Sequence, residues 1–565
     1  MAVGPYDGPS SNVLYMGSSH NHLASEAVKD LCWSHVPDFG DDYNYALSFE
    51  CHLERTTTYT GSYVVDYKGT VIADFGSVTT SYDHSPASAG GLASGANTYG
   101  ITAKVSTGGN VVNTSCPQEL TVVNVDNNQT ASNITIDQTK VYLVQSNGKL
   151  TANNLACTDV NRLIIEDGGQ LVTNSAVCGT VKKEIKSTGS EGGGWNFIAS
   201  PLVGSAPFES VSNLTSAGYH LFRYDEPSHY WVVPGSTSYA GFSSLANGQG
   251  YLYDNTANTN ILGFAGALQP SGTAVTLSDL SYTTTEGHRL PGWHLVGNPF
   301  PCKATIVQPY YTISGETLTA VATGTAINPG QGVMVKVGAA DNENDVTFTK
   351  CTESNVLPSQ IAMNVARTEL SRGDAEVEDN AIVSFNEGDE LEKFVFNADN
   401  AKLYIPQGNK EYAIIASELQ GEVPVNFVAA ENGSYTITVI PENMEFTYLH
   451  LIDNMTGADV DLLATPAYTF NASVTDYESR FRLLFSAGEE SEDTVESSFA
   501  FFNGSEWVIA NDGEATLQVV DMMGRLLSSE QVNGNAALSI DNAAGVYMLR
   551  LVNGKDVKVQ KIIIK

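Results

Sequence analysis

Along most of the chain, apolar positions recur at every second residue in short runs, the period of strands that bury one face. Tyr63-Val64-Val65-Asp66-Tyr67-Lys68-Gly69 and Thr98-Tyr99-Gly100-Ile101-Thr102-Ala103-Lys104-Val105 alternate in this way. So do Tyr435-Thr436-Ile437-Thr438-Val439 and Arg480-Phe481-Arg482-Leu483-Leu484-Phe485. Gly, Asn, Asp and Ser separate the runs and supply turns. The predicted fold class is all-β, with almost no helix, built as tandem β-sandwich modules.

The pattern divides the chain into segments. Residues 1–26 carry little periodicity and read as an irregular N-terminal segment. Residues 27–125 resemble a fibronectin type III-like sandwich, with Trp33 on an early strand and Tyr99 and Ile101 alternating on a late one. Residues 130–186 hold Val141-Tyr142-Leu143-Val144 and Leu163-Ile164-Ile165, separated by Asn-Gly and Asp-Gly signals, and predict a stacked or hairpin β-layer. Residues 187–350 contain an internal duplication. Trp195-Asn196-Phe197-Ile198-Ala199-Ser200-Pro201 matches Trp293-His294-Leu295-Val296-Gly297-Asn298-Pro299, and Gly248-Gln249-Gly250-Tyr251 matches Gly330-Gln331-Gly332-Val333. The same order in both copies argues for duplication. Each Trp is expected to anchor a core, each Pro to end its strand, and each Gly-x-Gly to turn tightly into the next strand. Residues 356–486 predict a further sandwich. Residues 487–498 place five acidic side chains among Gly and Ser, as an exposed linker does, and residues 499–565 form the last module.

Composition narrows the function. Lys and Arg number 28 against 63 Asp and Glu, a formal net charge of −35, so nucleic acid is excluded as a partner by repulsion. No apolar stretch is long enough to span a bilayer as a helix. The seven cysteines show no Cys-x-x-Cys pair or interleaved histidines, so no zinc site is expected. Bridges Cys157–Cys178 and Cys302–Cys351 are conceivable for an exported chain, with free buried thiols the plainer reading.

In the last module the order of motifs is the most specific signal. Thr516-Leu517-Gln518-Val519-Val520-Asp521-Met522-Met523-Gly524-Arg525 enters a Gly turn, and Gly545-Val546-Tyr547-Met548-Leu549-Arg550-Leu551 alternates as a strand. Asn553-Gly554 then predicts a type I′ hairpin that pairs Leu549 to Val552 with Val557 to Ile564. Arg550, Lys555, Lys558, Lys561 and Lys565 outnumber Asp541 and Asp556, so this hairpin is basic in an acidic chain. The region resembles the type A C-terminal sorting domain of substrates of the type IX (Por) secretion system of Bacteroidetes. That resemblance implies an immunoglobulin-like sandwich that directs its passenger across the outer membrane. It assigns the sorting signal to Asp521, Gly524, Arg525, Gly545, Val546, Tyr547, Lys558 and Lys561. The implied partners are the translocon, a sortase-like peptidase cutting within 487–498, and surface lipopolysaccharide. The implied location is the outer cell surface or the medium. Such substrates also carry a secretory signal peptide; Met1 to Gly8 shows none, and an incomplete start is the expected reason.

The passenger carries no His-Glu-x-x-His helix, Gly-x-Ser-x-Gly elbow or protease-like Cys-His context, so no catalytic residue and no cofactor are expected. Arg372-Gly373-Asp374 reads as a chance tripeptide before an adhesion site, and His20 and His22 as exposed histidines before metal ligands. Asp341, Asn342, Glu343, Asn344 and Asp345 read as a polar hairpin tip before a structural calcium loop. Thr494, in Asp493-Thr494-Val495, is a possible O-glycosylation site. The expected passenger is an adhesive or carbohydrate-binding sandwich array in which Tyr230, Trp231, Tyr251 and Tyr253 are candidate sugar-stacking aromatics, core packing being the plainer role for at least half of them. The alternative is a set of accessory modules of a larger secreted hydrolase.

Overall fold

The structure, a computed structural model, describes residues 12–17, 28–36, 45–53, 60–74, 81–84, 92–107, 110–116, 118–186, 194–256, 259–288, 290–340, 343–351, 358–368, 377–487, 499–502, 507–511, 513–521, 525–539, 545–554 and 556–564. Every regular element among them is a strand or a short 3-10 turn, as the period-two pattern requires. The chain forms two compact units, Met1–Ala487 and Gly488–Lys565.

In the first unit, strands Asn12–Gly17, Val28–Val36, Tyr45–Leu53 and Ser81–His84 form a four-stranded antiparallel sheet in that order. Trp33 lies on the second of them. Strands Thr60–Tyr67, Thr70–Asp74, Gly95–Thr107 and Asn110–Thr114 join a separate ten-stranded sheet. Tyr63, Val65, Tyr99 and Ile101 are buried together on one face of it, as their alternation predicts.

That large sheet continues as a parallel solenoid. Strands Gln118–Val125, Lys140–Val144, Leu163–Ile165 and Val177–Lys186 stack in parallel in one layer. Strands Asn128–Thr135, Lys149–Ala156 and Gln170–Thr173 stack in parallel in the other. Successive passes place Asn154 beside Asn133, 21 residues apart. The turns at Asn147-Gly148 and Asp167-Gly168 are therefore corners between layers, whereas the local signal alone suits a hairpin equally well. A Cβ at Gly148 would stand 2.0 Å from the Val125 carbonyl oxygen of the pass below, which closes that corner to any side chain. Antiparallel strands cover both ends of this layer: Gly95–Thr107 against Gln118–Val125, and Thr259–Leu268 against Val177–Lys186.

The duplication is visible as matching pairs. Strand Asn196–Ala199 pairs with Gly250–Asn255 through Ala199 opposite Gly250, and Trp293–Gly297 pairs with Gly332–Lys336 through Gly297 opposite Gly332. Each copy then bonds the other reciprocally. Ala199 N donates to Gly330 O at 2.9 Å and Gly297 N to Gly248 O at 2.8 Å, while Ile198 bridges Gln331 and Val296 bridges Gln249. These are exchanged equivalents, so the copies meet about a pseudo-two-fold. The Gly-x-Gly motif serves this meeting as well as its turns: a Cβ on Gly250 would lie 2.4 Å from Val296 O, and one on Gly332 3.0 Å from Ile198 O. Trp293 is buried in a core shared with Tyr311 and Phe394, and Trp195 is half-buried against the same core.

Residues 358–487 form an eleven-stranded sheet curled around its own core. Strand Lys402–Gln407 ties its layers by pairing first with Gln420–Val428 and then with Lys410–Ala416. Within it Arg480, fully buried, donates to both carboxylate oxygens of Asp453 at 3.2 and 2.9 Å and lies over the Phe470 ring. Cys116, Cys157, Cys178, Cys302 and Cys351 are free thiols.

The second unit is a two-sheet sandwich. Ala500–Phe502, Trp507–Ile509 and Ala536–Leu538 form one sheet, and Leu526–Asn533, Glu514–Asp521, Gly545–Asn553 and Asp556–Ile564 the other. Phe499, Trp507, Ile509, Leu517, Val519, Leu549, Leu551 and Ile562 form its core.

Candidate functional site

In the first unit, the structure separates the four candidate aromatics. Tyr251 and Tyr253 are buried, because all six residues of Gly250–Asn255 lie inside a central strand covered on both faces. They are core residues, the role expected for at least half of the four, and they drop out as sugar-stacking candidates. Trp231 is half-buried and packs on Tyr224 with ring centroids 5.2 Å apart. Tyr230 alone is largely open, 48% exposed, and pairs with Tyr239, 43% exposed, at 4.9 Å between centroids. His229 stacks on Tyr230 at 5.0 Å and meets His288 edge-on at the same distance.

This aromatic surface is held from beneath by a carboxylate. Glu226 is buried and accepts from Thr283 N at 2.7 Å, Thr283 Oγ1 at 2.8 Å and Gly292 N at 2.9 Å. Burial pushes its carboxyl up, but the bonds from Ser281, Gly292 and Thr283 outweigh that and hold it below the ordinary glutamate value. Glu226 opens the 3-10 turn Glu226–Ser228, and His229 follows at φ +50°, which turns Tyr230 outward. An open cleft of about 480 Å³ is lined by Arg223, Ser236, Phe242, Ser243, Ser244 and the edge of Tyr251, and Tyr239 adjoins it through its backbone N–H, which donates to Ser236 Oγ at 3.4 Å. Arg223 is fixed by a bond to Ala240 O and lies over Phe242. Tyr239 and His229 carried no period-two signal, since they sit on turns that only the tertiary structure brings together.

In the second unit the expected hairpin forms with the expected partners, Val552 opposite Val557 and Leu549 opposite Gln560. Its turn is one residue later than predicted. Asn553 pairs with Asp556, so Asn553 belongs to the ladder and the turn begins at Gly554, which alone of Asn553 and Gly554 has positive φ, +62°. This register puts Leu549, Leu551 and Ile562 into the core.

Gly545 and Val546 begin the hairpin opposite Ile564 and Ile563, and Tyr547 pairs with Ile562 on one side and Asp521 on the other. Asp521 and Arg525 clamp their turn: Arg525 N and Nε donate to the Asp521 carboxylate at 2.8 and 3.0 Å, and Asp521 N to Arg525 O at 3.0 Å. Lys558 and Lys561 are exposed on strand Asp556–Ile564, which ends the four-stranded sheet and so leaves one backbone edge unpaired within it. Lysines on such an edge oppose indiscriminate strand addition. The alternation missed Gln560. Its side-chain oxygen accepts from Phe499 N at 2.8 Å and Ala500 N at 2.7 Å, and its amide donates to Ala500 O, so one residue of the last strand fastens the first strand of the domain.

Several candidates lie outside the described residues: Gly524, Thr494, Arg372-Gly373-Asp374, His20, His22, Asp341 and Asn342. Of the rest of the acidic tip, Asp345 accepts from Asp279 N at 3.0 Å and Glu343 closes a turn to Ala340. Among the described residues no helix is long and apolar enough to cross a membrane.

No curated protein matches this chain. Residues 504–565, which span the clamped turn, the hairpin and its basic edge strand, match the secretion system C-terminal sorting domain, and this supports export by type IX secretion to the cell surface or the medium.

Proposed function

We propose that the first unit is a non-catalytic, carbohydrate-binding passenger that the second unit delivers to the cell surface. The observation that carries the binding reading is the exposed Tyr230–Tyr239 pair beside the Arg223–Ser244 cleft. Paired aromatic faces take the apolar face of a sugar ring, and the adjoining arginine and serine hydroxyls take its hydroxyl groups. The Glu226 network keeps the platform rigid, which lowers the ordering cost of binding. The strand order of residues 28–114 supports the fibronectin type III-like reading of that region, a spacer role in such an array.

After export, a sortase-like peptidase cuts within 487–498, Thr494 is the candidate O-glycosylation site, and the passenger is joined to lipopolysaccharide or released. Glycan-array screening of the full chain tests the binding reading. Binding to a defined glycan that falls at least tenfold in Tyr230→Ala and Tyr239→Ala, with thermal stability unchanged, is expected. An array without hits, or binding indifferent to both substitutions, removes it.

A further inference from the structure

Lys393 and Asp379 are buried side by side, with 2% and 10% of their side chains exposed and Nζ 2.6 Å from Oδ1. They stand 14 residues apart in sequence. Asp379 lies on strand Val377–Ser384, and Lys393 follows the short strand Leu391–Glu392, held by its backbone N–H on Glu411 O at 2.8 Å. The surrounding donors are specific. Leu403 N donates to Asp379 Oδ2 at 2.7 Å, Asn380 N to Oδ1 at 2.9 Å, and Lys393 Nζ also donates to Asn380 O at 2.8 Å.

We propose that Lys393 and Asp379 condense spontaneously into an intramolecular amide, a covalent crosslink within the 358–487 module. The neutral amine Nζ attacks the Asp379 carboxyl carbon of the protonated acid and forms the new C–N bond. Negative charge gathers on Oδ2, where the Leu403 amide already points, as an oxyanion donor does in acyl transfer. The C–Oδ1 bond breaks, and Oδ1 leaves as water with the acid proton and one proton from Nζ. No oxidant or cofactor enters the balance. In the product, Oδ2 still accepts from Leu403 N and the remaining N–H faces Asn380 O, so two of the three outside hydrogen bonds are kept and only the Asn380 N–H gives up its acceptor with the departing Oδ1.

Burial supplies the right protonation states. It pushes the Lys393 amine down against the opposing pull of Asp379, and it pushes the Asp379 carboxyl up against the pull of Lys393. Both shifts favour neutral amine and neutral acid, the reactive pair. A cavity of about 30 Å³ lined by Glu316, Glu378 and Lys402 adjoins them, room enough for one departing water.

The test is the intact mass of the purified, denatured full chain, followed by tandem mass spectrometry of its protease digest. The expected mass is lower than the sequence mass by one water, with the loss mapped to a branched peptide joining the Asp379 and Lys393 segments. Lys393→Arg is expected to keep its full sequence mass, and Asp379→Asn to lose ammonia in place of water. A wild-type chain at full sequence mass, a water loss that maps elsewhere, or a loss that persists in Lys393→Arg overturns the proposal and leaves the pair as a buried salt bridge.

Discussion

Replacing Gln560 by Ala isolates the tie between the two ends of the sorting domain. The substitution removes the acceptor used by Phe499 N and Ala500 N and the donor used by Ala500 O. Phe499 and Ala500 are 2% and 1% exposed, so water does not readily replace the lost partner. A buried donor left unpaired costs about 1–3 kcal/mol; two such donors at the lower half of that range give a loss of roughly 2–4 kcal/mol. For a domain of this size that corresponds to a fall in Tm of roughly 8–32 °C. Differential scanning calorimetry of the full chain reads the transition of the second unit, and hydrogen exchange reads protection at Phe499 and Ala500. Gln560→Glu is the control, because a carboxylate still accepts from both N–H groups but cannot donate to Ala500 O. It should fall between wild type and Ala. A loss below about 0.5 kcal/mol, or equal losses in Ala and Glu, would refute the reasoning, since the bonds themselves would then not be what holds the strand.

Other substitutions probe the first unit. Gly148→Ala forces a Cβ onto Val125 O and should lower stability by about 3 kcal/mol or more, read by thermal unfolding; a neutral variant would show that the corner relaxes freely. Gly250→Ala should destabilise more than Gly332→Ala, since the added Cβ meets a carbonyl at 2.4 rather than 3.0 Å, and the reverse order would contradict the pseudo-symmetric packing described above. Arg480→Met strands the buried Asp453 carboxylate and should cost about 3–5 kcal/mol by denaturant unfolding. Asp453 also sets an acid limit. Burial raises its carboxyl, but Arg480 and the Met455 amide outweigh that and hold it below the ordinary aspartate value. Its contribution is therefore fully present above the unfolded value near pH ~4 and is lost as pH falls through the lower folded value. Wild type should lose stability in that acid window more steeply than Arg480→Met, and parallel pH profiles would count against this assignment.

How far these features were legible depended on whether local chemistry or tertiary pairing decides them. The strand character of Tyr63 to Val65 and Tyr99 to Ile101 followed from alternation, because each has one face in the core and one outside it. The parallel stacking of 118–186 did not, because Asn147-Gly148 satisfies a solenoid corner and a hairpin with the same backbone needs. Only the 21-residue spacing of similar segments separates them. Which of the four aromatics are core was not legible, because a strand covered on both faces, as that of Tyr251 and Tyr253 is, has no period-two signature, and polarity no longer marks the solvent side. The hairpin pairing was readable at Asn553-Gly554, but its turn moved by one residue because burial of Leu549, Leu551 and Ile562 fixes the register more strongly than turn preference does. Gln560 carried a signal that composition hid: it alternates with Ile562 on the inward face, where a polar residue calls for a partner.

The antiparallel strands at both ends of the solenoid layer bear on how such a chain changes over evolution. Each parallel pass repeats its neighbour's backbone pairing, so gaining or losing one 21-residue pass leaves both end strands with the same kind of partner. Such a change moves the flanking parts of the unit by about 4.8 Å, the spacing of adjacent strands. Because neither end of the layer is open, this adjustment brings no sticky edge that would string molecules together. A pass gained or lost would change the region's length in a whole step while its neighbours keep their strand pairing.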